Sequence, residues 1–242
     1  MTLTDNLLIA AMPEASIERL TALATVQEGK VADILAARDV PAPVLFPLDG
    51  VISMTRKLND GSMIEIGMIG PEGALAMSTV LGVPVSPYDG VAQSRGMYAR
   101  IPAAEFREVL MADPAARDLM LRYTHAFFAQ VAQRAACNRI HVVEKRLAQW
   151  LLTLRDRVGA DEMSLTQEFL SWMLGTGRPA INVAMGHLKE LGAVELRRNR
   201  VRIVNRALLE GISCECYGQT VEEYVRALGF SPTAKGRHTD VD

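Results

Sequence analysis

The sequence predicts an α+β fold in which an antiparallel β-barrel or roll is followed by a long helix and a small helical unit ending in a hairpin. Three observations support this prediction. Residues 41–101 are rich in Gly and Pro and contain short β-type runs. An apolar pattern with helical spacing begins near residue 113, and residues 164–206 combine two short helical patterns with two short strands.

Length and composition are those of a globular protein. The chain has 242 residues, enough for one large or two modest domains, and 49% hydrophobic against 22% charged residues excludes wholesale disorder. Three cysteines cannot all pair, so we expect a reducing, cytoplasmic environment. The first residues lack the basic region of a signal peptide, and the longest uncharged run, 73–88, is broken by prolines. We therefore expect no membrane partner.

The N-terminal part begins with helical spacing and continues as strands. Apolar residues recur at helical intervals between residues 14 and 38, which predicts an opening helical region. Residues 51–58 and 63–69 are apolar runs on either side of Asn-Asp-Gly-Ser, which is a strong hairpin signal. A short strand at 98–101 leads through a proline into a short helix at 103–110.

The long helix predicted from residue 113 carries an apolar and aromatic stripe. Tyr123, Phe127 and Val131 are spaced by four residues, with Met120 alongside. Such a stripe is usually a core face. A long helix beyond a β-domain must nevertheless bury it somewhere, and a second copy of the chain is an economical partner. We expect a homodimer helix that uses these four residues, with packing inside one chain as the alternative.

Residues 164–206 contain the most specific pattern. Thr166 can N-cap a helix, and a Gly-Thr-Gly turn then leads to a second helix that starts at Arg178. Pro179 is tolerated in the first turn of that helix. Two short strands follow around a basic tip at 197–200. Helix, short turn, helix and basic hairpin together are typical of a winged helix-turn-helix, which binds DNA.

Charge is unevenly distributed along the chain. The formal net charge is −2, but residues 178–206 contain seven basic and two acidic side chains. Residues 1–110 contain eight basic and 13 acidic side chains. A basic segment in an otherwise acidic chain is expected of a surface that faces phosphates, although a solvated basic face is the simpler alternative.

The geometry of a winged helix-turn-helix assigns roles to particular side chains. The N-terminal residues of the second helix reach base edges in the major groove, where Arg178 could donate two hydrogen bonds to a guanine. The base-reading residues that we expect are Arg178, Pro179, Asn182 and Val183. Polar and basic residues nearby would contact phosphates, which gives affinity but little sequence information. The phosphate contacts that we expect are Thr166, Thr176, Lys189, Arg197, Arg198, Arg200 and Arg202.

Several stretches resemble the Crp/Fnr family of bacterial transcription regulators, the family of the cyclic-AMP receptor protein. The resemblance covers almost the full length and is strongest at 137–139, 142–152, 165–170 and 173–175. The ending, at 201–217, looks like a branch of that family whose effectors are uncharacterised.

The resemblance implies a domain organisation and a function. It implies a cupin-like β-roll sensor at 1–111, a dimerisation helix at 112–140, a winged helix-turn-helix at 141–217 and a tail at 218–242. Within that tail, residues 220–228 have the pattern of a short amphipathic helix. The implied function is sequence-specific regulation of transcription by a homodimer on a palindromic operator, controlled by an unknown signal. The implied partners are double-stranded DNA, a second copy of the chain and RNA polymerase.

The chain departs from the family at important positions. Members with the familiar operator have Arg, Glu and Arg where this chain has Arg178, Pro179 and Val183, so the consensus operator does not carry over. Members that bind cyclic AMP have a glutamate and an arginine that 73–76 and 88–92 lack. Oxygen sensors of the family use four cysteines for an iron–sulfur cluster. We therefore expect no cofactor, neither a cyclic nucleotide nor an iron–sulfur cluster.

An alternative is a cupin-like β-roll protein with an enzymatic or non-DNA binding role. Metal enzymes of that shape need two or three histidines with a carboxylate, and residues 1–124 contain no histidine. The chain also lacks a Gly-x-Ser-x-Gly nucleophile motif. We expect no enzyme and no catalytic residue. The clustered basic charge argues against a partner other than DNA.

The cysteines leave one question open. Cys214 and Cys216 could sense redox or contribute to a metal site, but two thiols are incomplete for zinc, which takes four ligands. Cys137 lies far away in sequence and could join them only through folding. We predict small, partly buried cysteines and no metal. The histidines are expected at surfaces or polar interfaces rather than in a ligand set: His125, His141, His187 and His238.

The signal is the least determined feature. The β-roll is the natural place for an effector pocket, and its methionines could line one, although core packing is the simpler interpretation. The methionines in question are Met54, Met63, Met68 and Met77.

Overall fold

The structure, a computed structural model, describes residues 1–59 and 61–233. Position 60 of the predicted hairpin turn and residues 234–242 of the predicted tail, with His238, lie outside the described residues. The chain opens with a 3-10 helix (Leu3–Asp5) and two α-helices, α1 (Leu7–Ala10) and α2 (Glu14–Leu23).

Seven strands form the N-terminal β-roll, and a one-turn helix, α3 (Met77–Val80), lies between the fifth and sixth. The strands are β1 (Thr25–Gly29), β2 (Ile34–Ala36), β3 (Val44–Pro47), β4 (Ile52–Lys57), β5 (Met63–Ile69), β6 (Asp89–Ala92) and β7 (Gly96–Ile101). They make two antiparallel sheets, in the orders β1-β7-β3 and β2-β6-β4-β5. The predicted antiparallel β-roll is confirmed, and β4 and β5 form the hairpin that the Asp-Gly signal indicated.

The opening helical region is shorter than its spacing predicted. Only α2 is helical, and the rest of the interval 14–38 contains β1 and β2. Strand β1 pairs antiparallel with β7 over its full length, from Thr25 opposite Arg100 to Gly29 opposite Gly96. The pairing partner lies about seventy residues downstream, so long-range hydrogen bonding overrides the local helical pattern.

Two helices lead out of the β-roll, α4 (Ala103–Ala112) and the 27-residue α5 (Pro114–Ile140). Asp113 separates them and caps α5, because its carboxylate accepts hydrogen bonds from the backbone N–H groups of Ala115 and Ala116. Pro114 occupies the first helical position, where its missing N–H group costs nothing.

The stripe on α5 packs within the protomer rather than facing outward. Met120, Tyr123 and Phe127 are buried in the β-roll core, and Val131 packs against the edge of that core. The Tyr123 hydroxyl donates a hydrogen bond to the carbonyl oxygen of Ala74. Met120, Tyr123 and Phe127 therefore pack inside one chain, which is the alternative that the sequence analysis left open, and Val131 is only partly buried.

The C-terminal unit begins with α6 (Val143–Val158). It continues through β8 (Glu162–Ser164), α7 (Gln167–Leu174), α8 (Arg178–Glu190), β9 (Val194–Arg197), β10 (Arg200–Ile203) and α9 (Arg206–Ile212). The two predicted strands are present, and β8 adds a third that the sequence analysis missed, in the order β8-β10-β9. Apolar side chains of all four helices and the sheet share a second core around Trp150.

The predicted tail begins with an ordered helix. Helix α10 (Cys216–Leu228) packs along α5, and its Tyr224 and Leu228 side chains belong to the β-roll core. Arg122 of α5 donates a hydrogen bond to the carbonyl oxygen of Ala227 at 2.9 Å. The chain therefore returns from the C-terminal unit to the β-roll.

Buried polar groups join the β-roll to the C-terminal unit. Glu65 of β5 accepts a hydrogen bond from Trp150 of α6 at 3.0 Å and forms an ion pair with Arg134 of α5 at 2.5 Å. Glu72, just after β5, pairs with Arg157 of α6 at 2.7 Å, and both side chains are buried. Removing one partner of such a pair is costly because a buried charge remains uncompensated.

Candidate nucleic-acid interface

Local sequence signals position the two helices of the predicted DNA-binding motif. The Thr166 hydroxyl accepts a hydrogen bond from the Phe169 backbone N–H group and caps α7. Gly175 ends that helix with φ of +57°, a left-handed conformation that favours glycine. Pro179 lies in the first turn of α8, which starts at Arg178 as predicted.

Helix α8 has one buried and one exposed face. The buried side chains recur at helical spacing: Ile181, Ala184, Met185 and Leu188. The four expected base-reading residues, Arg178, Pro179, Asn182 and Val183, are exposed. The Val183 side chain is 75% exposed and therefore does not contribute to the core. An exposed apolar side chain beside an arginine suits contact with base edges, including a thymine methyl group.

The hairpin beside α8 presents arginines on one face. Strands β9 and β10 pair from Arg197 opposite Arg200 to Val194 opposite Ile203. Only residues 198 and 199 form the tip, and Asn199 has φ of +56°, a left-handed conformation that asparagine tolerates. Because side chains alternate along a strand, Arg200 and Arg202 point away from the core.

The start of α8 and the hairpin meet around one groove. The groove has a volume of about 430 Å³ and is lined by Arg178 from the helix and by Arg197, Arg198 and Arg200 from the hairpin. Glu168 of α7 lines the same groove. A duplex that accepted α8 in its major groove would therefore meet the hairpin arginines at the adjacent backbone.

Several of these arginines form ion pairs with carboxylates. Arg178 forms an ion pair with Glu168, and both side chains are about half exposed. Arg200 pairs with Glu162 of β8. Arg197 lies 3.9 Å from Glu195, measured between guanidinium nitrogen and carboxylate oxygen. The sequence analysis identified neither Glu168 nor Glu162 as a partner of these arginines. The contact of Glu162 depends on the unpredicted strand β8, which pairs with β10.

Arg202 has a different environment from the other hairpin arginines. In register, Arg202 of β10 lies between Glu162 of β8 and Glu195 of β9, so acidic side chains flank it on both sides. The phosphate role expected for Arg202 is therefore less favoured electrostatically than that of Arg198 at the tip.

The remaining expected phosphate contacts lie around the same surface. Thr166 and Lys189 are exposed, and Thr176 is half-buried in the turn between α7 and α8. The Thr166 hydroxyl still has its own proton to donate while it caps α7.

The far end of α8 is attached to α6. His187 and Glu144 lie 2.5 Å apart, measured from Nδ1 to Oε2. This hydrogen bond and the nearby carboxylate charge raise the pKa of His187 above its ordinary value. Arg146 of α6 donates a hydrogen bond to the carbonyl oxygen of Leu174 at the end of α7. These contacts fix α7 and α8 on α6.

An apolar pocket lies between the β-roll and α5. It has a volume of about 360 Å³, and Met54 and Met77 line it as the sequence analysis suggested. Met68 instead belongs to the core around Trp150. Phe127 and Phe128 of α5 complete one wall. Among the described residues that line this pocket, none carries a charge.

The three cysteines are close together, at some distance from the groove. The Sγ atoms of Cys137 and Cys214 are 3.5 Å apart, and Cys216 lies beside His141. Folding therefore brings Cys137 to the Cys-x-Cys pair. Folding also places His141 beside the thiols, a proximity that the spacing of these residues in the sequence does not reveal.

Comparison with known proteins identifies the C-terminal unit. The sequence model described as "Crp-like helix-turn-helix domain" matches residues 145–212, which include α7, α8 and the hairpin. Residues 145–212 are a Crp-like helix-turn-helix domain. This Crp-like domain is a DNA-binding module, and its hairpin is the wing. No curated protein matches the chain significantly.

Solved structures extend the likeness to the whole fold. A protein of Eubacterium rectale, described as a transcriptional regulator of the Crp/Fnr family, is 17% identical, with a TM-score of 0.68 over 86% of this chain and 98% of its own. A CRP-family regulator of Thermus thermophilus is 15% identical, with a TM-score of 0.63 over 86% and 99%. The c-di-GMP-responsive regulator CLP of Xanthomonas campestris is 15% identical, with a TM-score of 0.65 over 80% and 100%.

The chain thus has the Crp/Fnr regulator fold, with a β-roll, a long helix and a Crp-like DNA-binding domain. The structures named above are described as regulators. Within the described residues, no helix is long and apolar enough to cross a membrane.

Proposed function

We propose that the chain is a sequence-specific transcription regulator that binds a palindromic operator as a homodimer under the control of a signal. The observation that carries this proposal is the groove where Arg178 of α8 meets the arginines of the wing. Helix residues there would read bases, and wing residues would hold the backbone. Such a regulator acts on the chromosome in the cytoplasm and, when it activates, contacts RNA polymerase.

The exposed face of α5 supports the homodimer. Leu121 and Phe128 are large, exposed apolar residues seven positions apart, and Phe128 is 69% exposed. Ala132 and Ala135 continue the same face toward the end of the helix. A seven-residue apolar spacing is typical of paired helices. We therefore place the dimer contact on this face, next to the buried stripe that the sequence analysis selected.

The apolar pocket supports a small apolar effector as the signal. Its described lining residues lack the charged side chains that a phosphate group would need. Phe128 both lines the pocket and lies on the exposed face of α5. An effector in the pocket would thus contact a residue of the proposed dimer interface. Its binding could therefore change how the two α5 helices pair.

Selection of bound fragments from random duplexes tests sequence-specific binding. We expect the full-length protein to enrich one two-fold symmetric sequence. On that sequence, Arg178→Ala should relax the preference at one guanine in each half-site, at a cost of about 1–3 kcal/mol, because a bidentate contact is lost.

Arg198→Ala is the matched comparison for Arg178→Ala. It removes the same charge from the wing tip, so binding to all duplexes should weaken about equally and the salt dependence should fall by roughly one unit of slope per site. Identical specificity profiles for the two variants would contradict the assignment of α8 to base reading.

A further inference from the structure

Four side chains with metal-binding chemistry meet where the long helix ends. Cys137 lies in the last turn of α5, and His141 directly follows that helix. Cys216 is the first residue of α10, and Cys214 lies two residues before it. Their four donor atoms all lie within 4.8 Å of one another. The chain has three cysteines, and all three are in this cluster.

The distances within the cluster suit one tetrahedral ion. Zinc–sulfur bonds of about 2.3 Å in a tetrahedron place neighbouring ligand atoms roughly 3.8 Å apart. The Cys137 and Cys214 sulfurs are 3.5 Å apart, and Cys216 Sγ is 3.6 Å from His141 Nδ1. A four-iron cluster needs its ligands farther apart, because each binds a different iron atom.

The outer contacts are those of a metal-ligating set. His141 presents Nδ1 to the thiols, and its other ring nitrogen, Nε2, lies 3.4 Å from a carboxylate oxygen of Glu215. Carboxylates at this position fix the ring orientation of metal-ligating histidines. Gln133 Nε2 donates a hydrogen bond to Cys216 Sγ at 3.1 Å, a contact that a metal-bound thiolate could accept. The Arg146 side chain interacts electrostatically with Cys137 and Cys214 and would offset the negative charge of metal-bound thiolates there.

Simple packing of small side chains explains this arrangement less well. Buried cysteines often act as small hydrophobic residues, but such packing does not account for a ring nitrogen turned toward a sulfur or an amide aimed at another. A disulfide between Cys137 and Cys214 would use two of the four groups and leave Cys216 and His141 without a role.

We propose that Cys137, His141, Cys214 and Cys216 bind one Zn²⁺ ion. The set supplies four protein ligands and leaves no open position, which is typical of a structural rather than a catalytic zinc site. The ion connects the end of α5 to the start of α10. It thereby fixes the segment between the long helix and the Crp-like domain. Metal binding itself does not depend on the proposed regulation of transcription.

Cobalt titration of the full-length protein tests the proposal. The protein, without a histidine tag, is stripped of metal under reducing conditions and titrated with Co²⁺, which reports tetrahedral thiolate coordination by its visible and near-ultraviolet absorption. We expect saturation at one Co²⁺ per chain and displacement by one equivalent of Zn²⁺. The three thiols should react with a thiol reagent in the metal-free protein and be protected once Zn²⁺ is bound.

Four variants distinguish the proposed ligands from residues around them. Cys214→Ser and His141→Asn should abolish the tetrahedral spectrum, whereas His125→Asn removes a histidine outside the cluster and should leave it intact. Glu215→Gln should lower Zn²⁺ affinity by about 10–100-fold, the usual effect of losing an outer partner. Circular dichroism of each variant checks that it is folded.

Several results would overturn the proposal. They are absence of stoichiometric Co²⁺ or Zn²⁺ binding, an unchanged spectrum in folded His141→Asn and Cys214→Ser proteins, an iron–sulfur absorption spectrum in freshly purified protein, and a Cys137–Cys214 disulfide in place of metal binding.

Discussion

Arg178 is the residue on which base recognition depends in this account, and Glu168 controls how available it is. The two side chains form an ion pair at the edge of the groove, where a duplex would have to compete with the carboxylate. Glu168 also brings negative charge close to the expected position of the phosphates. Glu168 is therefore expected to weaken the binding of DNA at this edge of the groove.

Glu168→Gln should strengthen DNA binding. The substitution frees Arg178 and removes one repulsive charge, and because exposed ion pairs contribute at most about 1 kcal/mol, the gain should be up to about fivefold in affinity. Equilibrium binding to the selected operator measures it. Glu190→Gln removes the same charge from the other end of α8 and should have a smaller effect. Weaker binding by Glu168→Gln would show instead that the carboxylate itself contacts the DNA.

His187 gives the attachment of α8 a dependence on pH. Its pKa is raised by the hydrogen bond and charge of Glu144, so the folded state holds the proton more tightly than the unfolded chain, whose value is about 6.5. The stabilisation is fully present below that value and is lost as the pH rises through the higher pKa of the folded state. Urea unfolding of wild type and His187→Gln should show a difference at pH 6 that shrinks by pH 8. A constant difference would contradict this assignment.

At the residue scale, sequence prediction succeeded where the signal was local. The buried face of α8 and the capping by Thr166 follow from spacing and from hydrogen bonding within a few residues. The partners of Arg178 and Arg200 could not be predicted in the same way. Glu162 reaches Arg200 through strand pairing across 38 residues of sequence, which spacing does not reveal.

Among the elements, α5 is the one whose faces are most easily confused in sequence. Aromatic residues occur on two adjacent faces, and the stripe spaced by four residues is the one that the β-roll buries. Phe127 is buried and Phe128 is exposed, although both suit an apolar contact. Only the position of the β-roll decides between them. Sequence alone could predict that α5 has an apolar face, but not which partner covers it.

Phe128→Asp should convert the dimer to a monomer. A carboxylate on the exposed face of α5 would be buried without a partner in the paired helices, which is strongly unfavourable. Sedimentation velocity measures the change. Met111→Asp is the matched control, because Met111 is 63% exposed at the end of α4, away from this face. A Phe128→Asp protein that remained dimeric would exclude this face as the contact.

The same distinction between local and long-range signals applies to the other elements. The β4–β5 hairpin and α7 were predicted from short signals, whereas β1 was hidden in a helical pattern until its pairing with β7 was seen. Helix α10 was predicted as amphipathic, but its docking against α5 required the whole fold.

For the whole molecule, the overall charge of −2 is the sum of an acidic N-terminal part and a basic segment in the C-terminal unit. Residues 1–110 carry a net negative charge that would repel DNA, whereas most basic side chains of residues 178–206 lie on α8 and the wing. Buried pairs such as Glu72 with Arg157 join the two parts into one structure. These contacts link the β-roll and α5 to α6 of the C-terminal unit.

The salt dependence of operator binding tests the central claim most directly. The dissociation constant of the full-length protein is measured for the selected operator and for a scrambled duplex over a range of salt concentrations. A dimer that uses Lys189, Arg197, Arg198 and Arg200 of each protomer should give a logarithmic slope of roughly −7, at ~0.9 per phosphate. It should also prefer the operator at every salt concentration. A slope near zero, or equal affinity for both duplexes, would contradict the account.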